Sequence, residues 1–168
     1  MHSILRILPL ACVALLVGLT VCLAKEERVE IRDVPPAVMK AVKHRFPNAT
    51  VTAAGKEEGD DKKMVFEIQL KQKSAKIDVT TSPDGAIQEI EEQVRQVDLP
   101  KLVQRVLADK YPNAKVTIAE KVILVKDGKE VLDCYEMKVK ENKQTTEVKI
   151  ALDGKIKHVE VQQEGDED

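Results

Sequence analysis

From residue 34 onward the chain switches between two hydrophobic periods. Val38, Val42 and Phe46 recur at intervals of four, with Ala41 beside them, and draw one apolar stripe along a helix. Lys40, Lys43 and His44 face away from it. Pro35 and Pro36 suit the first helical turn, where a missing N–H costs little, and Asp33 stands near the cap. Beyond Pro47 the period becomes that of a strand. Met64, Phe66, Ile68 and Leu70 alternate with Val65, Glu67, Gln69 and Lys71, and Ala75, Ile77 and Val79 alternate with Lys76, Asp78 and Thr80. Such alternation predicts strands with one apolar and one polar face. "SPDGA" (82–86) supplies a hairpin turn before a last strand.

The whole pattern is written twice. A shift of 65 residues lays Asp98-Leu99-Pro100 on Asp33-Val34-Pro35, and Val103, Leu107 and Tyr111 on Val38, Val42 and Phe46. Pro112-Asn113-Ala114 falls on Pro47-Asn48-Ala49, and Val116-Thr117 on Val51-Thr52. The shift then becomes 69, because the second copy has four extra residues in its first hairpin. In that register "YEMKV" (135–139) matches "FEIQL" (66–70), and "DGKI" (153–156) matches "DGAI" (84–87). Proline after Phe46 and after Tyr111 pushes each aromatic out of helical geometry and stops the helix. "FPNA" and "YPNA" are therefore helix-to-strand corners that aim an aromatic into a core.

The fold expected is α+β: a tandem repeat of two units, each one helix packed on a four-stranded antiparallel sheet, in the order α-β-β-β-β. The boundaries are 34–96 for the first repeat and 98–163 for the second, with an acidic tail at 164–168. Each unit alone has a small core, so the two are expected to pack together.

Residues 1–24 are of another material. Ile4 to Leu23 is almost wholly apolar apart from Arg6, and Cys22-Leu23-Ala24 offers small residues before a charged stretch. This reads as an export signal cleaved near Ala24, and places the mature chain in the periplasm or outside the cell, with no membrane span after cleavage. A retained anchor and lipid attachment at Cys22 are the weaker readings, the second because Val21 stands where a lipobox wants a small residue. Cleavage leaves Cys134 as the one cysteine, so packing rather than disulfides must hold the domain.

With 27 Lys and Arg against 29 Asp and Glu, the chain lacks the basic excess of a nucleic-acid binder. Aromatics at 2%, with no Trp, argue against stacking platforms and aromatic ligand pockets. No catalytic, cofactor-binding or metal-ligating residues are assigned. His44 lies on a polar helix face, and His158 on the final strand has no His or Cys at ligand spacing. The acidic runs at 57–61 and 164–168 lack the spacing of a calcium loop.

A helix, a Phe/Tyr-Pro-Asn-Ala corner and four strands with a late "DG" hairpin resemble the PepSY-like domain, here in two copies. The resemblance implies the fold of the beta-lactamase inhibitory proteins and an exported, non-enzymatic, protein-binding or inhibitory role. The chain departs from the true inhibitors in having no paired cysteines and no aromatic-rich open face, so beta-lactamase inhibition is not carried over. The expected function is a binding module that engages, and in one version inhibits, an envelope or extracellular protein through its open sheet faces. The alternatives are a small-ligand or cation sensor using a cleft between repeats, and a structural envelope component.

Alternation continued through the longer hairpin of the second copy puts Val116, Ile118, Val122 and Leu124 on the helix side. Ile123, Val125, Leu132 and Cys134 then form an apolar group on the open side, the candidate protein contact. The competing expectation is that this group packs against the first repeat.

Overall fold

The computed structural model describes residues 27–59 and 62–163. Residues 1–24, expected to be an export signal, and the acidic tail lie outside the described residues, as do Asp60 and Asp61.

The elements run β1 (Glu27–Arg28), α1 (Pro36–Arg45), β2 (Thr50–Glu58), β3 (Met64–Gln72), β4 (Ala75–Thr81), β5 (Ile87–Gln93), α2 (Lys101–Lys110), β6 (Lys115–Lys126), β7 (Lys129–Glu141), β8 (Gln144–Ala151) and β9 (Ile156–Gln163). Among the described residues the class is α+β, with two α-helices on a nine-stranded antiparallel sheet whose strand order is the chain order. Two separate four-stranded sheets were expected. Instead β5 and β6 pair from Glu89↔Leu124 to Gln93↔Glu120 and merge everything into one sheet. An unpaired β5 would leave a row of backbone N–H and C=O groups open beside the fully buried Ile90.

Both helices cover the same face. Ile68, Val79, Ile90 and Ile123 are successive cross-strand neighbours and form the floor beneath α1. Ala119, Met137 and Val148 form the corresponding floor beneath α2. Val38 and Val42 press down from the first helix, Val103 and Leu107 from the second.

Each helix ends at its aromatic. The Phe46 N–H donates to the Val42 carbonyl at 2.8 Å and the Tyr111 N–H to Leu107 at 2.8 Å, after which the backbone leaves the helical region. Phe46 is buried, whereas Tyr111 is only partly so. Asp33 does not cap α1. It closes a 3-10 turn, Ile31–Asp33, that leads into the helix, and the N-terminal residue Pro35 has no side chain bonded to the first turn.

Two matching bulges set which side chain faces which way. The pairing slips between Val51 and Ala53 on β2, and between Val116 and Ile118 on β6. The extra residues are Thr52 and Thr117, whose hydroxyls donate to the carbonyls of Gln69 (3.1 Å) and Lys138 (3.0 Å) on the neighbouring strand. A third bulge leaves Asp133 unpaired between Leu132 and Cys134.

The turn at Ser82–Ala86 is wedged against the start of α1. Gly85 has φ +88°, and a Cβ there would sit 2.6 Å from the Ala37 carbonyl oxygen. Gly85→Ala should therefore cost well over the ~1–2 kcal/mol of left-handed strain alone. Gly128 has φ +70° with nothing within 4 Å of its Cβ position, so Gly128→Ala should cost only that strain. Denaturation midpoints of the two variants test this; equal losses would mean the turn is not held against the helix.

Candidate functional site

Opposite the helices lies a broad polar trough of about 1160 Å³ that runs from Thr52 on β2 to Glu160 on β9. It crosses both halves of the sheet, and a separate hollow of about 560 Å³ lies on the helix side between the halves, lined by Ala41, His44 and Arg45 from the first and Val125 and Glu130 from the second. Strand alternation builds it. The row Gln93, Glu120, Glu136, Lys149 and His158 runs across β5 to β9. Ile118, Lys138, Glu147 and Glu160 make the next row. Eight carboxylates (Glu57, Glu67, Asp78, Glu91, Glu120, Glu136, Glu147 and Glu160) line the trough against four lysines (Lys71, Lys76, Lys138 and Lys149).

Its centre is deeply set. Glu136 is 4% exposed and Glu120, directly opposite it, 9%. Like charges directly opposite one another on a sheet repel. Lys149 relieves part of this, donating to Glu136 at 2.9 Å and lying 3.9 Å from Glu91. Burial works to lower the Lys149 pKa, but the bond to Glu136 and the charges of Glu136, Glu91 and Glu89 outweigh it and hold the ammonium charged. The carboxylates move the other way. Burial, followed by Glu136 and Asp78, pushes Glu120 up to about 7 against the opposing pull of Lys138. Burial and the charges of Glu136 and Glu89 likewise raise Glu91. The folded chain therefore holds protons that an unfolded chain, titrating near 4.5, would release. The stability that Glu120 contributes in this way is full below that value and is lost as pH rises through about 7.

The candidate contact residues fall elsewhere. The bulge at Thr117 turns Ile118 to the open side and carries Ile123 and Val125 to the helix side, the reverse of a simple alternation. Val122 and Leu124, expected on the helix side, face the trough side instead, by the same one-residue shift. Ile123 is buried in the core beneath α1, and Val125 and Leu132 pack against that core. The bulge at Asp133 then separates Leu132 from Cys134, which does face the trough side, opposite Val122. Cys134 is 1% exposed, however. Burial, with the adjacent Asp133, pushes its thiol up to about 12, so it remains protonated and shielded.

The longer hairpin has a use of its own. It reaches back to the end of α1, where Glu130 accepts two hydrogen bonds from Arg45, one of them 3.0 Å from Nη2. The same guanidinium lies 4.5 Å from the centre of the Phe46 ring. The four extra residues thus strap the second half onto the first helix.

His158 is the residue that spacing along the chain passes over. On β9 it shares a face with Glu160, and Glu147 is the direct cross-strand partner of Glu160. Donor atoms of all three lie within 4.8 Å of one another. Only strand pairing could reveal this, because Glu147 belongs to the preceding strand.

Among the described residues no helix is long and apolar enough to cross a membrane. Comparison with curated proteins gives no match. Among solved structures, a BLIP-like protein from Bacteroides fragilis superposes with a TM-score of 0.55 at 16% identity, over 79% of this chain and 89% of its own. A DUF2874 family protein from Bacteroides uniformis gives 0.60 at 14% identity, over 76% and 88%. A structure from Bacteroides eggerthii, described as "putative periplasmic proteins", gives 0.61 at 14% identity, also over 76% and 88%. At such identities the likeness establishes the fold. The sequence itself matches the family described as "Putative beta-lactamase-inhibitor-like, PepSY-like" over residues 20–89 and again over 78–158. With two matches that together take in most of the chain, the protein belongs to the PepSY-like, beta-lactamase-inhibitor-like family.

Proposed function

We propose that this is an exported, non-enzymatic binding module of the bacterial envelope, made of two PepSY-like repeats, which engages a partner protein through the trough face of its sheet. The partner segment it suits is basic. The observation that carries this reading is the acidic excess at the trough centre, where Glu91 and Glu120 are held partly protonated by burial and by their own neighbours. A Lys or Arg side chain brought between them would let both ionise and would gain charge-assisted hydrogen bonds in a partly desolvated site. Such a surface sacrifices stability at neutral pH in exchange for affinity. The signal at residues 1–24 and the description of a structural neighbour as periplasmic support the compartment.

The test uses the chain without residues 1–24, beside its Glu91→Gln/Glu120→Gln variant. The variant should melt higher than the wild type at about pH 8 and equally at about pH 4, since only at high pH is there repulsion to remove. In a pull-down from envelope extract, the wild type should hold a partner that is released as ionic strength rises, and the variant should lose it. A partner held equally by both proteins would remove the trough from the interface. A variant destabilised at about pH 8 would mean that the carboxylates are structural.

A further inference from the structure

We propose that Glu147, His158 and Glu160 form a binding site for a divalent transition-metal ion of the zinc class, at the β8–β9 end of the trough. His158 and Glu160 project from the same face of β9 two residues apart, and Glu147 stands directly opposite Glu160 on β8. The His158 Nε2 lies 3.8 Å from a Glu160 oxygen, and all three donors fall within 4.8 Å of one another. Zinc holds imidazole nitrogen and carboxylate oxygen at about 2.0–2.2 Å, so small rotamer changes on an otherwise fixed hairpin bring the three onto one ion. The backbone pairing of β8 and β9 supplies the pre-organisation.

Charge gives the site its purpose. Glu147 and Glu160 are like charges directly opposite one another, an arrangement that disfavours a sheet. Lys138 is 3.6 Å from Glu147 and offsets only part of this. An ion between the carboxylates would offset the remainder. The imidazole sets the class, since nitrogen ligands favour zinc, nickel and cobalt over calcium and magnesium, which prefer all-oxygen shells. His158 is 50% exposed, and β9 has no strand beyond it among the described residues, so a fourth position stays open to water or to a partner's side chain.

The test is calorimetric titration of the untagged chain lacking residues 1–24 with Zn²⁺ alone and with Ca²⁺ alone, supported by the visible bands of Co²⁺. One equivalent of Zn²⁺ should bind. His158→Ala and Glu147→Gln should each weaken it at least ~10-fold, roughly the smallest effect of removing a supporting group from a metal site. His44→Ala should leave it unchanged. Lys138→Met should tighten it, because the competing ammonium is gone. Far-ultraviolet circular dichroism would show that the variants remain folded. Zn²⁺ affinity unchanged by His158→Ala, or Ca²⁺ bound as tightly as Zn²⁺, would overturn the assignment.

Discussion

Phe46→Ala should lower the stability of the chain by about 3–5 kcal/mol, the usual loss for a large buried aromatic. Tyr111→Ala, its counterpart in the second half, should cost clearly less. The two positions match in sequence and in backbone, since each closes a helix and precedes the same Pro-Asn-Ala turn. They differ in cover. Phe46 is 5% exposed, packed into the core beneath α1, with the Arg45 guanidinium over its ring. Tyr111 stands at the margin of the other core, partly open to solvent. Chemical denaturation of both variants measures the difference. Equal losses would show that the corner itself, rather than the depth of burial, sets the energy.

The second large effect is expected from dividing the chain. A fragment of residues 25–97 should unfold at much lower denaturant than a chain of residues 25–168, or associate. It would carry every element from β1 to β5 yet leave the β5 edge bare. It would also lose Ile123 from the floor under α1, the flanking Val125 and Leu132, and the Glu130 partner of Arg45. An exposed edge beside a buried apolar residue invites pairing with another copy. Denaturation by circular dichroism and sedimentation of the fragment check both outcomes. A monomeric fragment with the midpoint of the whole would mean that each half stands alone and that the seam is incidental.

Much of this architecture was legible in the residues. Period four in Val38, Val42 and Phe46, and period two in Phe66, Ile68 and Leu70, mark helix and strand because burial demands those spacings. The repeat and its corners follow from the paired Pro-Asn-Ala turns. What could not be read was any feature that depends on partners. The Val-Thr doublets at 51–52 and 116–117 are visible as a repeat, but nothing in them announces a bulge. One unpaired threonine then moved Ile123 and Val125 from the surface expected for them into the core. The seam between β5 and β6 was hidden for the same reason, since a strand's period says which face is apolar and not which neighbour it has. The trough and the His158 cluster gather residues from as many as eight strands, so their chemistry exists only once register is set.

The strand order of the sheet bears on how quickly it can form. Because each strand lies beside its neighbour in the chain, six of its eight pairings are closed by a short turn, the other two enclosing α1 and α2. Hairpins close in about 1–10 μs, and a fold made of such local contacts has little loop entropy to overcome. The β5–β6 pairing must instead wait for residues 94–114, with α2 among them, to double back. That closure is the expected slow step, so weakening the Ile90–Ile123 contact should retard folding, whereas an equal loss inside the β8–β9 hairpin should chiefly hasten unfolding.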